Sequence, residues 1–208
     1  IIKTGNPVRQ NLCAQVDKEL AYKEFSFDPN KKTIVVIGGS LGARTVNNSL
    51  LAGVRKLAAE RDVQVLWQTG KIYIDEMRAK TSDLPAESGV VVTDFISRMD
   101  YAYAVADLVV SRAGASSISE LCLLGKPVIL VPAPNVAEDH QTKNALALST
   151  KDAAILIHDK DAVAQLVDTA LLTIRDEAKL KSLSENISKL AEKDSANRIA
   201  DEVIKLIK

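Results

Sequence analysis

The sequence predicts an α/β fold: a doubly wound, parallel six-stranded sheet with helices on both faces. Three observations predict it. Six short apolar runs lack the polar alternation of a sheet wetted on one side, so each reads as a strand covered on both faces. Segments with apolar residues at helical spacing separate the runs, and alternating strand and helix means parallel strands joined by right-handed crossovers. Several runs end in glycine or small-residue turns that open directly into a helix, the edge of such a sheet where ligands bind.

Residues 1–30 read as a connector and leading helix, and 31–208 as the main domain. Gly5-Asn6-Pro7 is turn chemistry, with Arg9 close behind. Residues 11–25 place Leu12, Val16 and Leu20 at the spacing of a short helix, which Asp28-Pro29-Asn30 ends. The first strand is 33–37, closed by Gly38-Gly39-Ser40-Leu41-Gly42-Ala43, and a helix follows to about residue 60. The second, 63–67, ends in Gln68-Thr69-Gly70-Lys71. A helix around 72–80 leads through Pro85 and Gly89 to the third, 90–92, which runs into Thr93-Asp94-Phe95-Ile96. A short helix through Tyr101 and Ala104 precedes the fourth strand, 108–110. After it, Ser111 to Glu120 turns into a helix that Gly125 stops. The fifth strand is 126–131, closed by Pro132-Ala133-Pro134; a helix spans roughly 139–149 and the sixth strand is 154–157. From about 161 the chain is helical, with one stripe of Leu183, Ile187 and Leu190 and another of Ile199, Val203 and Ile207.

Composition narrows the function. Lys+Arg and Asp+Glu stand at 27 each, and aromatic residues are 4%. Neither an electrostatic pull toward nucleic acid nor a base-stacking surface is present, so no nucleic-acid partner is expected. Cys13 and Cys122 lie far apart and form no C-x-x-C pair, which fits a reducing, cytosolic setting. No apolar run reaches the length of a membrane span, which leaves peripheral membrane contact open. A first residue other than Met points to a segment of something longer.

The rim loops carry the chemistry. Gly38-Gly39-Ser40-x-Gly42-Ala43 opens a helix, and the free N–H groups and positive end of a helix both favour an anion such as phosphate. Its spacing is neither G-x-G-x-x-G nor a Walker loop. No acidic residue ends the second strand to hold an NAD ribose. Ser117-x-x-Glu120 is either a capping box or a ligand-holding turn with a carboxylate one helical turn in. His140 has only His158 as a possible imidazole partner, too few donors for zinc, so no metal site is assigned. It opens a helix instead, where His140, Gln141 and Asn144 can meet a polar ligand. No strained G-x-S-x-G elbow exists for a serine nucleophile. Phe95 and Ile96 are core residues or, at a strand end, a platform for a flat heterocycle.

Taken in order, Gly5-Asn6-Pro7-Val8-Arg9, Gly38-Gly39-Ser40-x-Gly42-Ala43-Arg44, Trp67-Gln68-Thr69-Gly70-Lys71, Ser111-Arg112-Ala113-Gly114-Ala115 through Glu120, and Asp139-His140-Gln141-x-x-Asn144-Ala145 closely resemble the C-terminal half of the MurG family. These are the bacterial N-acetylglucosaminyltransferases of peptidoglycan synthesis. The likeness covers nearly the whole chain. It implies one half of a GT-B fold, a Rossmann-like domain that binds UDP-N-acetylglucosamine. The family transfers GlcNAc to lipid I, making lipid II with inversion, without a cofactor or catalytic metal, at the cytoplasmic inner face of the cell membrane. At matching positions Glu120 would accept hydrogen bonds from the ribose hydroxyls. Phe95 and Ile96 would receive the uracil, the Ile96 backbone supplying polar contacts. Ser40, Ser117 and Arg9 would attend the diphosphate, helped by N–H groups near Ala115 and Ser116, while His140 and Gln141 would face the sugar. Leu41 departs from the glutamine common in the glycine-rich turn. The family's N-terminal half supplies the acceptor loops, the proposed catalytic base and the membrane patch, so no catalytic residue is assigned and the chain is expected to be inactive alone. The alternatives are a donor-binding subunit of a split GlcNAc transferase, like the two-subunit enzyme of dolichol glycosylation, and a nucleotide-binding module without transfer chemistry.

Overall fold

The structure is a computed structural model, and it describes residues 2–9, 12, 16–134 and 136–206. Its centre is the set of six apolar runs, which form β1 (Lys32–Ile37), β2 (Val63–Gln68), β3 (Val90–Thr93), β4 (Leu108–Ser111), β5 (Val128–Leu130) and β6 (Ile155–Leu156). All pair in parallel, in the order β3-β2-β1-β4-β5-β6. The chain builds outward from β1 to β2 and β3, then returns to lay β4 on the other side of β1. That reversal puts a crevice between the loops that follow β1 and β4.

The strands are apolar on both faces because both faces are covered. Ile34 and Val36 enter one buried cluster while Val35 and Ile37 enter the other, and Leu108 and Val110 alternate with Val109 in the same way. The first layer is α2 (Arg44–Ala59) and α7 (Ala162–Arg175), with α3 (Ile74–Thr81) beside them. Val46, Leu50, Val54 and Leu57 of α2 form its buried stripe, and each such side chain contributes about 1.5–3 kcal/mol on leaving water. The opposite layer is α1 (Lys18–Glu24), α4 (Met99–Val105), α5 (Ala115–Leu124) and α6 (His140–Ser149), while α8 (Glu177–Ser188) places Leu180 in the first cluster and Ile187 in the second. The last helix, α9 (Ser195–Lys205), lies at the end of the chain. No helix of the described residues is long and apolar enough to cross a membrane.

The strand and helix order matches the expectation from sequence, with two corrections. The leading helix is shorter than 11–25: the Asp17 carboxylate accepts the Glu19 and Leu20 N–H groups at 2.9 and 3.3 Å and starts α1 at Lys18. That start turns Ala21 into the core, leaving Leu20 49% exposed, while Leu12 is buried ahead of the helix. Residues 11 and 13–15 of that expected helix lie outside the described residues. At the other end, Leu183 and Ile187 are buried as expected, but Val203 is exposed, and Ile207 lies outside the described residues.

Candidate functional site

Two turns flank the crevice at the C-terminal edge of the sheet, and each opens a helix that no side chain caps. The first follows β1. Gly42 (φ +84°) and Gly70 (φ +82°) lie against each other there: a Cβ on Gly42 would stand 2.1 Å from the Thr69 carbonyl oxygen, and one on Gly70 2.2 Å from the Gly42 nitrogen. Only glycine permits this approach, and it brings the loop after β2 under the turn. Asn47 secures the arrangement from below, donating to the Thr69 carbonyl and accepting from the indole of Trp67, both at 2.9 Å. Gly39 (φ +79°) faces open space, and Ser40 is exposed. Helix α2 then begins behind Ala43, which has no side chain able to cap it.

The second turn follows β4, and side chains fasten it. Arg112 donates to the carbonyls of Val131 and Pro132 at 3.0 and 3.2 Å and pairs with Asp159, which also accepts from Thr45 at 2.8 Å. The Gln141 carbonyl accepts from Ala113 N–H and Ala133 N–H at 3.1 and 3.0 Å, and Asn144 donates to the Ala113 carbonyl at 3.1 Å. Loops after β4, β5 and β6 are thereby tied to α2 and α6. Gly114 then serves as the N-cap of α5 without a side-chain bond. Ser117-x-x-Glu120 is therefore no capping box: the N-cap, Gly114, lies three residues before Ser117, and Glu120 sits in the second turn of the helix. The N–H groups of Ala115, Ser116 and Ser117 occupy the first turn, where a helix has no intrahelical acceptor for them.

Glu120 is the polar centre of this half of the rim. Arg9 reaches it from the connector, its guanidinium 3.3 Å from Oε1, and the Tyr103 hydroxyl donates to Oε2 at 2.9 Å. The carboxylate side chain is 13% exposed and the Arg9 side chain 57%. Asn6 donates to the Ser119 hydroxyl at 3.1 Å, seating the connector on α5. Burial and the Glu120 charge both raise the Tyr103 phenol well above its ordinary range, which keeps it a donor.

The structure gathers the expected site residues on one edge, with differences of role. Ser40 follows β1, Phe95 and Ile96 follow β3, the Ala115–Glu120 residues follow β4, and Arg9 is held to Glu120. Phe95 is 49% exposed, whereas Ile96 is 3% exposed and packs in the cluster with Tyr103 and Ala113, so its side chain belongs to the core. Beside them, Phe95, Ile96, Ser97 and Arg98 line a groove of about 370 Å³ with Phe25 and Ser26. The Gln141 carbonyl is committed to the two loop N–H groups, leaving its amide nitrogen as the group able to meet a ligand. His140 is exposed at the first position of α6, 3.8 Å from the Glu138 carboxylate.

Sequence reasoning passes over Tyr103 and Asp159, and names Asn6 and Arg112 only as parts of motifs without their contacts. The bonds Tyr103–Glu120, Asn6–Ser119 and Arg112–Asp159 span 17, 113 and 47 residues, and no local pattern marks such pairings. Asp159-Lys160-Asp161 is an acidic pair of the Asp-x-Asp kind that it also misses, and Asp159 is engaged by Arg112 and Thr45. Gln68, at the end of β2, carries a buried side-chain oxygen without a donor among the described residues.

Residues 33–199 match the glycosyltransferase family 28 C-terminal domain. A UDP-N-acetylglucosamine--N-acetylmuramyl-(pentapeptide) pyrophosphoryl-undecaprenol N-acetylglucosamine transferase of Parabacteroides distasonis is 59% identical over 100% of this chain and 56% of its own length. The like-named protein of Bacteroides thetaiotaomicron is 57% identical over 99% of the chain and 56% of its own length. The chain thus spans little more than half the length of these relatives. Among solved structures, Acinetobacter baumannii MurG superposes with a TM-score of 0.77 at 26% identity, over 95% of this chain and 55% of that one. With its all-parallel Rossmann-like sheet, its paired uncapped turns and this similarity across almost its full length, the chain belongs to the glycosyltransferase family 28 C-terminal domain family.

Proposed function

We propose that this chain is the donor-binding half of an inverting N-acetylglucosaminyltransferase that moves GlcNAc from UDP-GlcNAc to lipid I, giving lipid II in peptidoglycan synthesis. The observation that carries the reading is the convergence on one rim of the Arg9–Glu120 pair and two uncapped helix starts. Free N–H groups and the positive helix ends suit a diphosphate. In this reading Glu120 accepts from the ribose hydroxyls. Phe95 and the Ile96 backbone take the uracil. Ser40, Ser117 and the N–H groups of Ala115 and Ser116 hold the diphosphate, toward which Arg9 turns its guanidinium. His140 and the Gln141 amide meet the sugar. As the bond to the sugar breaks, negative charge gathers on the leaving diphosphate, and donors already fixed around it lower the barrier without reorganising.

Transfer also requires the acceptor to be held in line across a cleft, which this chain does not wall on its own. The complementary N-terminal half would bring lipid I and the catalytic base, and the complete enzyme would work at the cytoplasmic face of the membrane. The names of the relatives and the 56% share of their length that the chain spans support that division.

Calorimetry with UDP-GlcNAc, UDP-glucose and ADP tests the reading. Uridine nucleotides should bind and ADP should not; preference for ADP would remove the proposal. Glu120→Ala should weaken UDP binding by about 1.5–3 kcal/mol, the scale of a hydrogen bond to a charged group. Unchanged UDP affinity with lowered stability would make Glu120 a purely structural partner of Arg9 and Tyr103.

A further inference from the structure

We propose that Tyr103 is the positioning residue that aims the Glu120 carboxylate, and so sets the preference of the site for ribonucleotide over deoxyribonucleotide. The inference rests on the ribose role of Glu120 given above. A glutamate on the second turn of a helix has three rotatable bonds, and a ligand that needs its carboxylate in one orientation must find it already there. Two groups hold Glu120, and they differ in kind. Tyr103 is a buried residue of α4, as are Ala102 and Val105, and belongs to the buried cluster with Ile96, Ala113 and Leu121. Its hydroxyl donates to Oε2 at 2.9 Å. A phenol buried beside a carboxylate and left unbonded would carry a large desolvation cost, so this contact is not readily given up. Arg9 makes the longer contact, 3.3 Å to Oε1, from an exposed side chain on the connector. It can exchange Glu120 for a phosphate without disturbing the core.

A carboxylate accepts about four hydrogen bonds, so one fixed donor on Oε2 leaves lone pairs for two neighbouring hydroxyls of a ribose once Arg9 has moved. Tyr103 thus stays in place through the binding event while Arg9 changes partner. In this division Tyr103 governs selectivity, and Arg9 governs affinity for any diphosphate, whatever its sugar.

Calorimetry with UDP and 2′-deoxy-UDP on the wild-type chain, Tyr103→Phe and Arg9→Ala separates these roles, with thermal melting run in parallel. Wild type should prefer UDP by about tenfold or more. Tyr103→Phe should reduce that ratio to about threefold or less, chiefly through weaker UDP binding. Arg9→Ala should weaken both ligands alike and retain the wild-type ratio. A merely structural Tyr103 would lower the melting temperature and leave the ratio alone, which would overturn the proposal. Loss of the ratio in Arg9→Ala would overturn it too, and this exposed substitution decides the matter even if Tyr103→Phe fails to fold. Wild type that binds both nucleotides equally would instead remove the ribose role of Glu120, a failure visible before any variant is made.

Discussion

The two edges of the sheet treat their polar groups in opposite ways. At the edge where strands begin, side chains close the backbone. Asp107 accepts the Thr33 N–H at 2.7 Å, and Gln64 donates to the Asp28 carbonyl and the Thr33 hydroxyl while accepting the Asp28 N–H. Lys32 pairs with Glu177, and the Lys126 ammonium donates to the Ala106 carbonyl at 2.9 Å. At the edge where strands end, side chains shape the loops but leave the helix starts open: the N-cap residues Ala43 and Gly114 make no side-chain capping bond. Bonding that closes one edge gives stability, and donors left over at the other make a place for an anion.

The largest expected effect breaks the open edge. Gly42→Ala combines a left-handed backbone with a Cβ 2.1 Å from a carbonyl oxygen that has nowhere to move. It should cost about 3–5 kcal/mol by chemical denaturation and abolish UDP binding, the left-handed conformation alone accounting for about 1–2 kcal/mol. Stability close to wild type would mean that the turn is not held by backbone packing.

Lys126→Met sharpens the contrast at the closed edge. Burial pushes the Lys126 amine down to about 8 from its usual 10.5. Below pH 8 the amine is charged whether folded or not, and folding carries the full cost of burying it. Between pH 8 and 10.5 the unfolded chain holds a proton that the folded one has released, so stability rises with pH across that window. The stability difference between wild type and Lys126→Met should therefore shift toward wild type by about 2–3 kcal/mol from pH 7 to pH 10.5, measured by denaturation at each pH. A difference independent of pH would mean that water reaches the amine, and the edge is not closed.

The smallest effect isolates the strain term. Gly39→Ala keeps a positive φ in open space, so only the conformational cost of about 1–2 kcal/mol applies. A loss as large as that of Gly42→Ala would show that both glycines are confined.

Much of the open edge was legible before any coordinates. The glycine-rich turn and the small-residue turn after β4 announce themselves by composition, and each directly follows an apolar run. The spacing of Ser117 and Glu120 leaves a capping box and a ligand-holding turn equally open, because the pattern fits wherever the helix begins, and only the chain path out of Ser111 makes Gly114 the N-cap. Gln141 opens α6 beside the rim loops, and nothing in its sequence neighbours says that its carbonyl bridges two of them. Leu20 fits a helical stripe by spacing, yet the carboxylate of Asp17 sets the phase of α1 and turns that position outward.

What this sequence settled by itself was the succession of strands and helices, because unbroken apolar runs and helical stripes are local patterns that burial on both faces demands. Tertiary structure alone decided which oxygen of Glu120 meets Tyr103, which loops Arg112 and Gln141 join, and which helix starts stay uncapped. Those depend on side chains far apart in the chain meeting across the end of a sheet, and the strand order that brings them together leaves no mark within any single segment.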